Sequence, residues 1–409
     1  MKKLNLAFFG TPAFSARLLE KILTDKDLPL EVKLVITQPD KPVGRKKILT
    51  PSPVKQIASQ YQIPIYQYKN QQNLRTSQLS EQVSPDEALA LRGRQKDEWS
   101  RRPQTDSVGM RVDLTSKFSL VDLLRKIDLV LLYAFGEIIP TELLKLPKYG
   151  FWNIHPSLLP KYRGASPMAY PLIMGDEKTG VTLMQMDEQM DHGPIIAQEE
   201  YEILPTDKRP DLEIKLTDLG YELFKKLIST NFNQFQPIQQ DQQNATYTRR
   251  LSRDDGFIPL STLKKALHNE PLTADELPKI IKDFSINQKI PHQNLASHFP
   301  HLTSSAKTIY NLFCGLYPWP GLWTLTPESK RLKITDMSLD MLHASGFKQQ
   351  VLSEVEGLHI NRVQIEGKKE CLFTEFCKTN NLFKTLCTFV YAIILSGYLG
   401  IHYFIKSSY

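Results

Sequence analysis

Cysteine is scarce in this chain. Only Cys314, Cys371, Cys377 and Cys387 occur in 409 residues, all in the last quarter. None forms a C-x-x-C pair, which argues against a zinc ribbon and against a disulfide framework. The N-terminus, MKKLNLAFFGTPAF, lacks the long apolar run and small-residue cleavage site of a signal peptide. The start therefore reads as cytoplasmic. A strong excess of one charge is also missing: 51 Lys and Arg stand against 44 Asp and Glu, a net +7. So mild a balance permits a polyanion partner without requiring one. With 41% apolar and 23% charged residues, the chain as a whole is neither disordered nor an integral membrane protein. Long hydrophobic runs are missing too, with one exception. Leu386 to Ile405 holds no Asp, Glu, Lys or Arg and is flanked by Lys384 and Lys406. It has the minimum length for a bilayer span, and tyrosines near one end suit an interface. A buried helix or an incidental tail accounts for it equally simply.

What is present in the first half is alternation. Strand-like runs (Leu4 to Phe9, Val32 to Thr37, Ile63 to Tyr66, Leu129 to Tyr133, Phe151 to Ile154, Val181 to Met186, Ile195 to Ile203) alternate with helix-period stretches at Ala13 to Leu23, Pro53 to Gln60, Leu120 to Lys126 and Asp211 to Ile228. This order predicts an α/β fold, a Rossmann-like, open and largely parallel sheet. In such sheets the site lies at the carboxyl ends of the strands. The length suggests two or three domains. Residues 1–230 form the expected catalytic domain, with a polar surface insertion at 75–117. Residues 231–244, NFNQFQPIQQDQQN, read as a linker. Residues 245–369 carry short β-type runs, such as Leu322 to Leu325 and Arg331 to Ile334, and suggest a β-rich second domain. Residues 370–409 form a tail with the possible transmembrane helix 386–405.

Three stretches carry chemistry. In FWNIHPSLLPKYRGASP (151–167), Asn153 and His155 lie two apart on a strand and share a face. The turn Pro156-Ser157 follows, placing both at the strand's carboxyl end. An amide beside an imidazole suits polarisation of a carbonyl and stabilisation of the oxyanion formed on attack. The imidazole also suits proton transfer near neutral pH. Taken alone, a single His is more often structural. In GVTLMQMDEQMDHGPIIAQ (180–198), a loop presents Asp191, which can orient and charge His155 or take a proton from an attacking amine. The competing reading is a turn in which Asp187 and Asp191 bond backbone amides. In TQPDKPVGRKKILTPSPVK (37–55), Lys41, Arg45, Lys46, Lys47 and Lys55 face one acid, Asp40. Pro39, Pro42 and Gly44 are expected to forbid regular structure through the charged part. A basic loop leaving a catalytic sheet is a natural phosphate-backbone contact, although a charge run is more often merely a solvated loop.

Together these stretches resemble the methionyl-tRNA formyltransferases. The resemblance rests on GTPAF (10–14), QPDKPVGRKK (38–47), TPSPVK (50–55), AFGEIIP (134–140), NIHPSLLPKYRGASP (153–167) and GVTLMQMDEQMDHGPI (180–195). It continues more weakly in TYTRRLSRDDG (246–256), YPWPG (317–321) and VQIEGKK (363–369). It covers residues 1–74 and 118–369, with 257–305 poorly matched. The resemblance implies a catalytic trio at Asn153, His155 and Asp191, and folate contacts at Ser157, Leu158, Leu159 and Pro160. It implies tRNA contacts at Lys41, Arg45, Lys46 and Lys47, and a C-terminal β-barrel, similar to an OB-fold, that touches tRNA backbone. The implied co-substrate is 10-formyltetrahydrofolate, with no metal. The implied partner is initiator methionyl-tRNA, bound by a monomer. Phe135, Glu137 and His192 depart from the residues usual in this family, and the segment 75–117 and the tail have no family counterpart.

Three other readings compete. Enzymes of the same fold formylate small amines, such as glycinamide ribonucleotide or amino sugars, or hydrolyse formyl-folate. They would share the trio, but the basic loop and C-terminal region favour tRNA. A nicotinamide dehydrogenase is disfavoured because the first strand runs into Gly10-Thr11-Pro12, not G-x-G-x-x-G. A membrane-anchored, inactive adaptor is motivated by the tail and opposed by the intact trio.

Overall fold

The computed structural model describes residues 3–44, 46–68, 119–230, 236–289, 304–340 and 357–379. The insertion 75–117, the hydrophobic run 386–405 and Arg45 lie outside the described residues. The chain forms two units: residues 1–154, 184–188 and 224–235, and residues 155–183, 189–223 and 236–409. The division does not follow the Gln-rich stretch, because much of the segment after His155 shares a core with the C-terminal third.

The first unit contains β1 (Leu4–Gly10), β2 (Leu30–Thr37), β3 (Lys41–Val43), β4 (Ile48–Thr50), β5 (Ile65–Gln67), β6 (Leu129–Tyr133) and β7 up to Ile154 (Phe151–His155). β5 pairs with β2, β2 with β1, β1 with β6 and β6 with β7, every pair parallel. The sequence explains this arrangement. β6, LVLLY, is buried along its whole length, as a parallel strand covered on both faces must be. Phe9 meets Phe135 and Phe151 edge-on at 5.2 and 5.3 Å, anchoring a core that also takes Leu120, Leu124 and Leu143. Helices Ala13–Thr24 and Pro53–Gln60 follow their strands as the periodicity predicts. The Ser52 side chain caps the second by accepting from Lys55 N–H at 3.1 Å.

The basic stretch differs from expectation. β3 and β4 form an antiparallel hairpin, with Pro42 opposite Leu49. In a two-stranded ribbon both strands are edges, where a proline is tolerated. Gly44, at φ 73°, turns the chain, and Lys47 N–H donates to Gly44 O at 3.1 Å. The prolines shorten the strands here without abolishing them.

The second unit contains β8 (Arg163–Gly164), β9 up to Leu183 (Lys178–Gln185), β10 (Ile195–Glu202) and β11 (Tyr247–Thr248). It also holds an antiparallel sheet in the order β12 (Leu322–Leu325), β13 (Arg331–Asp340), β14 (Gly357–Ile365) and β15 (Cys371–Leu372). The β-rich expectation captured this sheet but not the helices Leu260–Leu267, Lys279–Asn287 and Ser305–Leu316 that pack with it. Helix Ser305–Leu316 lies against Ala169–Ile173 so closely that a Cβ at Gly315 would stand 2.7 Å from Ala169 O. The domain also runs past residue 369, where the sequence reading ended it. β15 pairs with β14, and Phe373, Phe376 and Cys377 of the following helix are buried in the shared core. The i, i+3, i+4 spacing of those three residues puts them on one helical face. Cys314 and Cys371 carry free thiols, whereas Cys377 is disulfide-bonded. One such bond is not a framework, but the cysteine spacing gave no sign of it.

A bidentate pair fastens the stretch after β11. Arg249 donates to both carboxylate oxygens of Asp255, at 2.8 and 2.6 Å, and to Asp283 at 2.8 Å. Burial alone raises the Asp255 carboxyl, but the bonds from Arg249 and Ser252 outweigh it and hold the group below its ordinary range. A depressed folded-state pKa adds stability that is present above the unfolded value and lost as pH falls through the folded one. Arg249→Met should therefore cost roughly 2 kcal/mol at pH 7, since it strands a buried charged acceptor. It should also flatten the loss of stability below about pH 4. Urea unfolding at pH 7 and pH 3 reads both effects, and equal stability of the two proteins at pH 7 would contradict the assignment.

Candidate active site

β7 delivers two of the expected residues. Asn153 and His155 are 7% and 4% exposed and stand two apart on one strand, hence on one face. His155 Nε2 lies 3.0 Å from the carbonyl oxygen of Tyr162. A carbonyl only accepts, so in the neutral ring the hydrogen sits on Nε2. The other ring nitrogen, Nδ1, faces Asp191. Nδ1 lies 3.6 Å from Asp191 Oδ1, an ion-pair separation longer than a hydrogen bond. The other carboxylate oxygen, Oδ2, accepts from Gly164 N–H at 2.7 Å. Asp191 itself holds φ 50°, a left-handed conformation that costs a non-glycine residue energy and that surrounding contacts must sustain. Gly164 has to be glycine: at φ 105°, a Cβ there would stand 2.4 Å from Thr248 O.

The SLLP segment is braced from beneath. Ser157 is wholly buried, and its hydroxyl donates to Lys161 O at 2.7 Å. Thr182 donates to Ser157 O at 2.7 Å and accepts from Leu159 N–H at 3.1 Å. Gln198 donates to Leu159 O and to Thr182 Oγ1, both at 2.8 Å. Leu159 is buried, while Leu158 and Pro160 are half-buried. Leu158 and Pro160 are therefore the members of the segment with surface to offer a ligand, and Ser157 shapes the turn. Sequence reasoning missed Thr182 and Gln198. The only signal for Thr182 was a polar residue at a buried position of a largely apolar strand; Gln198, exposed on the polar strand β10, gave none.

The basic hairpin presents Lys41, Lys46 and Lys47 to solvent. Lys41 Nζ also donates to Gln38 Oε1 at 2.5 Å. Lys55 stands apart from them: its Nζ bonds both oxygens of Asp40 at 2.9 Å, which spends its charge within the fold. Val43, Ile48 and Leu49 are 57–66% exposed, so the hairpin offers apolar surface between its lysines. Phe135 sits in the aromatic core, 1% exposed, where its lack of a hydroxyl leaves nothing unsatisfied. Among the described residues, no group of three or more His, Cys, Asp or Glu side chains is placed to hold a metal. Nor is any described helix long and apolar enough to cross a membrane.

Comparison with known proteins identifies relatives of the chain. Residues 108–228 match the formyl transferase family and residues 301–381 the formyl transferase C-terminal domain. The first match contains Asn153, His155 and Asp191. A methionyl-tRNA formyltransferase of Caldicellulosiruptor saccharolyticus is 31% identical over 83% of this chain and 81% of its own length. One from Staphylococcus epidermidis is 36% identical over 65% and 71%. Among solved structures, a 4-N formyltransferase from Francisella tularensis aligns at 16% identity and TM-score 0.48, covering 82% of this chain and 98% of that one. The identity to relatives matched over most of their length shows that this chain belongs to the methionyl-tRNA formyltransferase family.

Proposed function

We propose that the chain transfers the formyl group of 10-formyltetrahydrofolate to the α-amine of methionine esterified to initiator tRNA. The observation that carries this reading is the pairing of His155 Nδ1 with Asp191, on a strand that also bears Asn153. The neutral amine attacks the formyl carbon, and the carbonyl oxygen takes up negative charge. Asn153 and His155 stabilise that oxyanion. Asp191 holds His155 in its productive state and helps remove the ammonium proton. The new amide C–N bond forms as the bond from the formyl carbon to N10 breaks, and tetrahydrofolate leaves with the electron pair and a proton. The half-buried faces of Leu158 and Pro160 supply apolar surface for the folate. The chain acts as a monomer, and its place in translation initiation is cytoplasmic.

Lys41, Arg45, Lys46 and Lys47 contact tRNA phosphates. The exposure of the three described lysines supports this, and so does the internal pairing of Lys55, because only unspent charge releases counterions.

Asn153→Ala should lower turnover about 100- to 1000-fold, the usual cost of one oxyanion donor. Near-normal formylation of methionyl-tRNA by that variant would contradict the role. Replacing Lys46 and Lys47 together by Ala should weaken tRNA binding and reduce the slope of log affinity against log salt by about 2. Filter binding over a range of salt reads the slope, and an unchanged slope would remove the hairpin from the tRNA contact.

A further inference from the structure

Arg163 is the largest fully buried side chain in the described structure, at 0% exposure. Among the described residues no carboxylate pairs with it. Instead its guanidinium is held by neutral oxygens. Nε and Nη2 donate to Gln240 Oε1 at 3.1 and 2.7 Å. Nη1 donates to Gln242 Oε1 at 2.9 Å and to the Tyr247 hydroxyl at 3.0 Å. A buried cation without an anion is costly unless its hydrogen bonds are met. Four well-formed bonds to a rigid fork meet them here, and they fix the Gln240 amide in one orientation.

That orientation matters because the other end of the amide is also occupied. Gln240 Nε2 donates to the backbone oxygens of Asp191 at 3.0 Å and Gly193 at 2.7 Å. With Oε1 tied to Arg163, the amide cannot flip without facing a donor with a donor and a carbonyl with a carbonyl. The same β8 residue pair therefore grips the Asp191 loop twice. Gly164 N–H holds the carboxylate, and Arg163, through Gln240, holds the backbone.

We propose that Arg163 and Gln240 are positioning residues for formyl transfer. They keep Asp191 in its left-handed conformation, with its carboxylate set opposite His155 Nδ1. The proposal rests on the reading of Asp191 as part of the transfer machinery. It also gives the Gln-rich stretch a task. Gln240 is 5% exposed because it is a structural part of the catalytic loop's support.

Gln240→Glu separates the two ends of the amide. It leaves Arg163 an acceptor, now charged, but replaces the donor to the loop by an oxygen facing two carbonyls. If Gln240 positions Asp191, kcat should fall on the order of tenfold or more. KM for the formyl donor should stay within about twofold, and Tm should be retained. The imidazole 15N resonances of His155 should also move. Gln240→Ala, which lifts both restraints, should show the same kcat loss together with a lower Tm. Unchanged kcat in Gln240→Glu would overturn the proposal. So would losses in kcat and KM that simply follow a lowered Tm in both variants. If the wild-type chain itself formylates no methionyl-tRNA, the functional reading fails, and the His155 resonances alone decide the positioning. A shift in Gln240→Glu upholds the positioning, and coincident spectra refute it.

Discussion

The carboxylate of Asp191 stands between a histidine ring and a backbone N–H, on a residue whose own backbone is in a disfavoured conformation. Most of the local design follows from keeping it there. Gly164 must lack a side chain so that β8 can lie against Thr248 while its N–H reaches the carboxylate. Tyr162 O must accept from His155 Nε2 so that Nδ1 faces the acid. Gln240, whose oxygen accepts from Arg163, holds the loop's carbonyls through its amide nitrogen. Three consecutive residues, Tyr162 to Gly164, thus act on the His155–Asp191 pair through three different groups. Such support is what separates a site merely present from one held within a fraction of an ångström.

The charge of the chain is divided in a comparable way. Some cations are committed to structure: Lys55 to Asp40, Arg249 to Asp255 and Asp283, Arg163 to neutral oxygens. The lysines of the β3–β4 hairpin are exposed, beside apolar residues that the fold leaves uncovered. A net charge of +7 says little by itself. Which cations remain unspent says more, because ion pairs inside the fold contribute nothing to counterion release.

Much of this was legible in the sequence, and the reasons are specific. β6 and helix Pro53–Gln60 fall on their expected residues, because an unbroken apolar run and a Ser-Pro start are strong local signals. The second unit's helices were obscured, since short amphipathic helices among β-type runs carry weak periodicity. The hairpin at 41–50 was hidden by prolines that are tolerated at an edge. Residues 371–379 looked like tail because a two-residue strand and one helical face leave little pattern. The two chemical stretches stood out because Asn-x-His and the Asp-His-Gly-Pro loop are local motifs, and the structure brings His155 to Asp191. Gln240 could not be recognised in the same way. Its polarity reads as solvent exposure, and only the three-dimensional neighbour, a buried arginine, makes burial of a glutamine favourable.

The central claim is that the amine acceptor is methionine on tRNA. The most direct measurement supplies the wild-type chain with 10-formyltetrahydrofolate and, in competition, methionyl-initiator tRNA, glycinamide ribonucleotide and a nucleotide-linked amino sugar. The account predicts that the formyl label goes to the tRNA with the highest kcat/KM by orders of magnitude, since the proposed phosphate contact of the charged hairpin would add binding that no small amine can use. Preferential formylation of either small amine would contradict it.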